Sequence, residues 1–232
     1  MFKKLISVGV LLFLTACSTS PTPDPRRGLA PQSAALVSKS QAVGATATSP
    51  VLIRIFKQSR ELELWRMTSS GTYALVKTYE ICAYSGDLGP KIRQGDRQAP
   101  EGFYSIGPSQ LNYNSIRFLS LDTGFPNAFD RSHGRTGSYL MIHGGCDSAG
   151  CYAIEDAPAQ EVFTAVRDAL KAGQRSVQIQ IYPFRMTAYN MRQYKDHKHI
   201  DFWLQLKVGF DQFEKTNKPL NVSVTNKRYI IN

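Results

Sequence analysis

Apolar and polar residues alternate along the chain from Pro50 onwards, which is the pattern of β-strands that bury one face. The first two alternating segments flank a turn at residues 57–60, and with the third they predict an antiparallel meander. The predicted strands cover residues 51–56, 61–66, 73–84, 102–106, 116–121, 138–143, 151–154 and 177–181. The chain from Pro50 is therefore predicted to be mainly β.

A clear helical period follows these strands. Apolar residues recur at helical spacing from Val162 to Leu170, Asp156 is a favourable N-cap, and Pro158 suits a first turn, which together predict a helix over residues 156–171. The remaining predicted elements are helices at residues 187–195 and 201–213, a hairpin over residues 222–231, and a long loop rich in glycine and proline over residues 85–102.

The N-terminus has a different pattern. Lys3 and Lys4 precede an apolar run at residues 5–14 that is too short to cross a bilayer, so residues 1–16 are predicted to be a signal peptide. The cleavage region, which ends Leu-Thr-Ala-Cys at Cys17, resembles a bacterial lipobox and implies that Cys17 is lipidated. The alternative is an ordinary signal peptide with a coincidental cysteine.

Residues 17–49 are rich in Pro, Ser, Thr and Ala and show no sustained apolar period, which predicts a disordered linker. Residues 50–232 are then a single domain, and a hydrophobic content of 42% is typical of a globular one. Export would carry this domain to the periplasmic face of an outer membrane, held there through its lipid anchor.

The chain is basic, and export changes the meaning of that charge. Without Lys3 and Lys4 the formal net charge falls from +10 to +8. Nucleic acid is the usual partner of a basic surface, but we expect none in an exported protein. The cell wall and lipid head groups are anionic and suit the charge, and solvated lysines without any partner are the alternative.

The chemistry is concentrated in residues 143–151, which place one imidazole and two thiols within nine positions. A cysteine with a basic neighbour can act as a nucleophile, because the thiolate is its reactive form. The spacing of His143, Cys146 and Cys151 would also suit a structural zinc site with Cys82 as fourth ligand. A disulfide with a buried thiol is the third possibility, and spacing alone leaves all three open.

A family resemblance bears on these alternatives. Residues 142–144 (Ile-His-Gly) and 148–151 (Ser-Ala-Gly-Cys) resemble the signature of the L,D-transpeptidases, the YkuD domain, and residues 99–104 are similar to a Thr-Pro-x-Gly-x-Phe segment of that family. Residues 82–91, 124–130 and 182–187 resemble its YafK-like branch. The resemblance spans residue 50 to the C-terminus and implies an α+β fold, mostly β, with packed helices.

The resemblance also implies a role for each matching residue. Cys151 corresponds to the nucleophile, His143 to its base, and Gly144 to the residue that orients the base, with the Gly150 and Cys151 N–H groups as an oxyanion hole. The thiolate would form a thioester with a peptidoglycan stem peptide at the L-centre of meso-diaminopimelate, and no cofactor or metal is implied. Ser148, Ala149 and Gly150 would bind substrate, and Arg97 of the 85–102 loop is a candidate to bind its carboxylate.

Three features depart from the usual family pattern. Ala149 stands where a second histidine is common, Tyr152-Ala153 lacks the usual Arg or Asn, and only seven residues separate His143 from Cys151. They match the YafK-like branch, for which the resemblance implies hydrolytic release of a murein-linked outer-membrane lipoprotein. The sequence leaves both transpeptidation and hydrolysis open. A peptidoglycan-binding lipoprotein without catalysis, with structural cysteines, is the alternative.

The remaining two cysteines suggest a further hypothesis. If Cys17 is lipidated and Cys151 reacts, Cys82 and Cys146 are left as a pair. An oxidising compartment permits disulfides, so we expect these two residues to be bridged.

Overall fold

The computed structural model describes residues 24–232, so the predicted signal peptide at residues 1–16 and the predicted lipidation site Cys17 lie outside the described residues. The strands are β1 Val51–Phe56, β2 Glu61–Met67, β3 Tyr73–Glu80, β4 Ala83–Tyr84, β5 Gly102–Ile106, β6 Leu111–Asn112, β7 Ser120–Asp122, β8 Met141–His143, β9 Tyr152–Ala153, β10 Val177–Tyr182, β11 Val222–Thr225 and β12 Arg228–Ile231. The α-helices are α1 Ala34–Ala42, α2 Ala128–Ser132, α3 Asp156–Lys171, α4 Ala188–Gln193 and α5 Ile200–Thr216, and short 3-10 helices cover Pro25–Leu29 and Pro108–Gln110.

The strands form two five-stranded sheets and a separate hairpin. The long-strand sheet has the order β3-β2-β1-β10-β5, and only its β1–β10 pair is parallel. The short-strand sheet has the order β4-β9-β8-β7-β6, and only its β8–β9 pair is parallel. The hairpin joins β11 to β12 through Asn226 and Lys227, both at positive φ. The predicted α+β fold class is confirmed.

The long-strand sheet is the middle layer. All six residues of β1 are buried, because the sheet is covered on both sides. Ile53 and Ile55 face a core shared with α3 and the short-strand sheet. Leu52 and Phe56 face a second core whose largest members come from α5. Alternation along one strand thus serves two apolar layers.

The prediction of a disordered linker is wrong for residues 24–49. Helix α1 begins after Ser33, whose hydroxyl accepts a hydrogen bond from the N–H of Leu36, and the Leu36 side chain is fully buried. The Gln32 side chain accepts from Arg66 at 2.8 Å and donates to Asp168 at 2.7 Å. Polar contacts to the domain hold this segment together with a few apolar contacts, from Leu36, Val43 and Ala45. Its composition therefore resembles that of a linker.

Two predicted strands of the short-strand sheet are shorter than expected. The segment at residues 116–121 pairs only from Ser120, and the segment at residues 138–143 only from Met141. Phe118 and Tyr139 lie at φ of 70° and 58°, a backbone state that interrupts a strand. Irregular backbone therefore replaces the first four residues of one predicted strand and the first three of the other. Helix α3 is confirmed, with Glu155 rather than Asp156 as its N-cap.

Part of the positive charge is internal. Six basic side chains have less than a tenth of their surface exposed: Arg54, Lys57, Arg66, Lys91, Arg135 and Arg167. Five of them form ion pairs with acidic side chains. The number of Lys and Arg residues therefore overstates how many cations are free on the outer surface. None of the helices within residues 24–232 is long and apolar enough to cross a membrane.

Candidate active site

The short-strand sheet carries the cysteine–histidine motif on the face opposite the core. Ile142 pairs with Tyr152 between the parallel strands β8 and β9, and both side chains are buried in the core. Because side chains alternate along a strand, Met141, His143 and Cys151 lie on the other face. All three line one open cavity of about 440 Å³. The fold thus brings the imidazole and the thiol into the same cavity.

Cys151 is a free, partly exposed thiol. Its Sγ atom accepts a hydrogen bond from the backbone N–H of Met141 at 3.4 Å and lies 3.5 Å from the carbonyl oxygen of Tyr139. Burial raises the pKa of the Cys151 thiol, and the Met141 N–H only partly opposes this. The sulfur is therefore protonated at neutral pH and needs a base before it can attack.

His143 ends strand β8 and is 5% exposed. Its Nδ1 lies 2.5 Å from the carbonyl oxygen of Gly144. Burial lowers the pKa of the His143 imidazole, so the ring is neutral at pH 7. A neutral ring that donates from Nδ1 to a carbonyl keeps its lone pair on Nε2. His143 is thereby held as a proton acceptor.

Gly144 occupies a position where no side chain fits. A Cβ atom there would lie 2.6 Å from Oδ1 of Asp156 and 2.8 Å from the Cβ of Phe118. The same Asp156 oxygen accepts the N–H of Gly145 at 2.8 Å, at the start of helix α3. Because Gly144 has no side chain, the start of helix α3 and the turn before β7 both pack closely against it. These contacts fix the backbone beside His143.

Ser148 holds the turn that leads to Cys151. Its hydroxyl donates to the carbonyl oxygen of Cys151 at 2.8 Å and accepts the N–H of Gly150 at 3.1 Å. The Gly150 N–H is therefore engaged inside the turn, and the expectation that it contributes to an oxyanion hole is wrong for this conformation. Gly150 itself lies at φ 126°, packed against Leu140.

Cys82 and Cys146 lie side by side, with Cα atoms 5.6 Å apart, a separation that suits the predicted disulfide. Cys82 directly precedes β4, and Cys146 lies in the loop between β8 and β9. The bond would tie the loop that carries the catalytic motif to the edge of the short-strand sheet. Thiol counting is its test, and the pairing stays a prediction.

A buried ion pair supports the loop beneath Cys151. Lys57 and Glu101 are both fully buried and lie 3.0 Å apart. Lys57 also donates to the carbonyl oxygens of residues 87, 89 and 99. The end of the same loop accepts the Tyr152 hydroxyl at 2.6 Å on the carbonyl of Pro100. Tyr152, which follows Cys151, is therefore anchored to this loop.

The mouth of the cavity carries two charged side chains that the sequence did not single out. Arg117 lies in the turn before β7 and Asp147 in the loop before Cys151, and Nη1 of Arg117 forms an ion pair with Oδ1 of Asp147. The sequence predicted a strand through Arg117, which would have placed it within a sheet. No pattern in the sequence signals the turn that moves it to the cavity.

Comparison with known proteins identifies the family. Over 183 residues the chain is 52% identical to "Putative L,D-transpeptidase YafK" of Escherichia coli strain K12, and the match covers 79% of this chain and 74% of that protein. The chain belongs to the L,D-transpeptidase family. The protein of the same name in Escherichia coli O157:H7 gives the same identity and coverage. No family model matches the chain. The family resemblance deduced from the motifs is confirmed.

Two solved structures are similar to this L,D-transpeptidase family member. The helical cell shape determining protein Pgp2 of Campylobacter jejuni has a TM-score of 0.44 at 16% identity, covering 81% of this chain and 80% of that one. Bd1075 of Bdellovibrio bacteriovorus has a TM-score of 0.40 at 19% identity, covering 80% of this chain and 78% of that one.

The residues predicted from the L,D-transpeptidase signature are brought together only in part. Cys151, His143, Ser148 and Ala149 line the cavity, and Gly150 lies behind it. Arg97 is exposed on the 85–102 loop, outside the cavity lining, so its assignment as a substrate-binding residue is not supported. The buried contacts that support the 85–102 loop lie elsewhere along it, and the Arg97 side chain faces away from the cavity.

The zinc alternative finds no support in the geometry. Within residues 24–232, no three His, Cys, Asp or Glu side chains converge as metal ligands would. Two of the four residues that the zinc site requires, Cys82 and Cys146, are paired with each other.

Proposed function

We propose that this member of the L,D-transpeptidase family is a cysteine acyl-transfer enzyme that acts on peptidoglycan stem peptides at the L-centre of meso-diaminopimelate. The observation that supports this most directly is that a free thiol, Cys151, and a neutral imidazole, His143, line one open cavity. The substrate class follows from the family, and the name of the Escherichia coli relative carries the same activity.

In the first half of the reaction Cys151 is acylated. His143 takes the thiol proton on Nε2 as the sulfur attacks the carbonyl carbon of the L-centre. The tetrahedral intermediate collapses, the C–N bond breaks, and the imidazolium returns its proton to the leaving amine. A neutral thiol and a neutral imidazole suit this sequence, because the proton moves only when the bond to carbon forms.

In the second half an acceptor resolves the thioester. His143 removes a proton from the acceptor as it attacks the carbonyl, the C–S bond breaks, and the proton passes to the Cys151 sulfur. An amine as acceptor gives transpeptidation. Water gives amide hydrolysis, which on lipoprotein-linked murein would release the lipoprotein.

The decisive experiment compares the wild-type protein with Cys151→Ala on purified murein. We expect the substitution to lower turnover by about 10⁴-fold or more, because the variant has no nucleophile. Mass spectrometry of the products from lipoprotein-linked and unlinked murein, with and without an added amine, identifies the acceptor. Acylation of Cys151 by a thiol-reactive acyl probe reports the first half-reaction alone.

The substitution should leave the fold intact, which an unchanged unfolding midpoint would establish. The competing function, murein binding without catalysis, predicts a different outcome. The muropeptide profile would then be the same with wild-type protein, with Cys151→Ala and without protein, while both proteins bind murein equally. That result would reject the enzyme.

A further inference from the structure

The cavity of Cys151 has one fixed pair of opposite charges at its mouth. Among its lining residues, Arg117 and Asp147 are the charged side chains besides the titratable His143. The Arg117 side chain is 48% exposed and that of Asp147 is 58% exposed. They form an ion pair with each other, yet both remain open to solvent and to a ligand. Half-exposed pairs of this kind contribute little to stability.

The backbone holds both residues in place. Phe118, next to Arg117, lies at φ 70°, a strained state for an aromatic residue. The carbonyl oxygen of Arg117 would lie 3.1 Å from a Cβ on Gly144, so the turn is pressed against the residue after the catalytic histidine. Asp147 directly follows Cys146 of the disulfide. Backbone strain of this kind is typical of functional sites, where the surrounding contacts hold the strained residue in place.

Apolar surface lies beside the charged pair. Ile116 is 85% exposed and Tyr139 is 75% exposed, and both line the same cavity. Tyr139 also lies at positive φ, 58°. Two large apolar side chains in solvent next to a guanidinium and a carboxylate suit a ligand with an aliphatic stem and a head group of two opposite charges.

We propose that Arg117 and Asp147 recognise a zwitterionic amino-acid head group on the substrate, with its carboxylate on the guanidinium and its ammonium on Asp147. The aliphatic stem of that group would lie against Ile116 and Tyr139. The assignment rests on the proposed function, because the D-centre of diaminopimelate is such a head group. Without substrate, the two side chains neutralise each other.

This recognition selects among stem peptides. A stem whose D-centre amine is already acylated in a cross-link has no ammonium, and an amidated stem has no carboxylate. Each missing charge leaves Arg117 or Asp147 without its substrate partner. For half-exposed pairs we expect each loss to weaken binding by about fivefold. The site therefore favours stems that are not cross-linked through that amine.

Calorimetric titration of the Cys151→Ala protein tests the proposal without turnover. The ligands are four diaminopimelate-containing tetrapeptides: unmodified, amidated at the D-centre carboxylate, acetylated at the D-centre amine, and modified at both. We expect the unmodified peptide to bind about fivefold more tightly than either singly modified one. Adding Arg117→Ala should abolish the preference over the amidated peptide, and adding Asp147→Ala the preference over the acetylated peptide.

A charge swap separates recognition from support of the loops. Arg117→Asp with Asp147→Arg keeps an ion pair across the mouth, so a merely structural role predicts that binding returns to its original strength. Recognition predicts that it stays weak. Lys207→Ala is the matched control, because Lys207 forms a partly exposed pair with Asp211, at 26% and 57%, outside the cavity.

The outcomes are distinct. Equal binding of all four peptides, or full recovery in the swapped variant, would overturn the charge recognition whatever the enzyme does. Absence of Cys151-dependent turnover by the wild-type protein would overturn the proposed function instead. The peptide preference is measured in a protein that cannot react, so neither result depends on the other.

Discussion

The two five-stranded sheets of this protein are built differently. The long-strand sheet has strands of five to eight residues and carries apolar cores on both faces. The short-strand sheet has strands of two or three residues, with the core on one face and the cavity of Cys151 on the other. Few ladder hydrogen bonds can hold such short strands, so the geometry of the site depends on side chains that bond to the turns.

This difference separates what stabilises the fold from what shapes the site. Apolar burial stabilises the long-strand sheet, where a polar substitution at the surface changes little. Next to the short-strand sheet, Ser148 holds the 148–151 turn through two hydrogen bonds, and Asp156 ties the start of α3 to the N–H of Gly145. We therefore expect polar substitutions around the cavity to impair activity more than surface substitutions elsewhere.

The largest expected effect comes from Glu101, which lies at the end of the 85–102 loop, directly before β5. Its carboxylate accepts hydrogen bonds from Lys57, from the N–H of Gly89 and from the indole of Trp203. Glu101→Gln would leave a buried ammonium without a counter-charge and place amide hydrogens against donors. We expect a loss of about 3–5 kcal/mol in the free energy of unfolding, measured by urea denaturation. Acylation of Cys151 should slow as well, because the loop beneath it shifts.

A second substitution shows whether the unpaired charge is the cause. Lys57→Met combined with Glu101→Gln should be more stable than Glu101→Gln alone, because no ammonium remains buried. Asp211→Asn is the control, since the exposed Lys207–Asp211 pair should contribute under about 1 kcal/mol. Equal losses for the buried and the exposed pair would contradict the role of the buried pair in supporting the 85–102 loop.

The disulfide tests the short-strand sheet by itself. Cys82 and Cys146 close a loop with a sequence separation of 64, and Cys82→Ser with Cys146→Ser should cost about 2–4 kcal/mol of stability. Thiol counting under denaturing, non-reducing conditions on a variant without Cys17 should give one free thiol. Three free thiols would show that the bond is absent. We also expect slower acylation of Cys151, because the loop before it would lose its tie to β4.

The same contrast explains which parts of the fold the sequence predicted. Strands β1 and β2 were predicted within one residue because their alternation is long and uninterrupted. The irregular segments that replace the first part of two predicted strands depend on positive φ at Phe118 and Tyr139, which residue type does not signal. Helix α1 depends on contacts to residues far along the chain, so its own composition suggested a linker.

The candidate site divides in the same way. His143 and Cys151 lie eight positions apart, and the motif predicted them directly. Arg117 is 34 positions from Cys151 and reaches the cavity only through the turn before β7. Arg97 had the right chemistry and lies in a loop that supports the site, yet its side chain is outside the cavity. The local motif predicted the two groups that are proposed to react, His143 and Cys151. The tertiary structure decided which charged side chains line the same cavity.

The smallest expected effect is the pH dependence of stability. Burial lowers the pKa of His143 below its ordinary 6.5, so between the two values the unfolded chain binds a proton that the folded chain does not. The stabilisation is complete above pH 6.5 and is lost as the pH falls through that window, by less than about 1.4 kcal/mol per pH unit. Denaturant titrations from pH 5 to 8 would measure it.

The difference in the free energy of unfolding between wild type and His143→Gln isolates this contribution, because the other ionisable side chains are the same in both proteins. The Cys151 thiol has the opposite effect on the pH dependence of stability. Burial raises its pKa above 9.0, so stability falls as the pH rises past that value. If His143 and Cys151 instead formed an imidazolium–thiolate pair, protonated His143 would be stabilised by the fold. The difference curve would then rise towards low pH, and proton transfer would precede the attack on the substrate rather than accompany it.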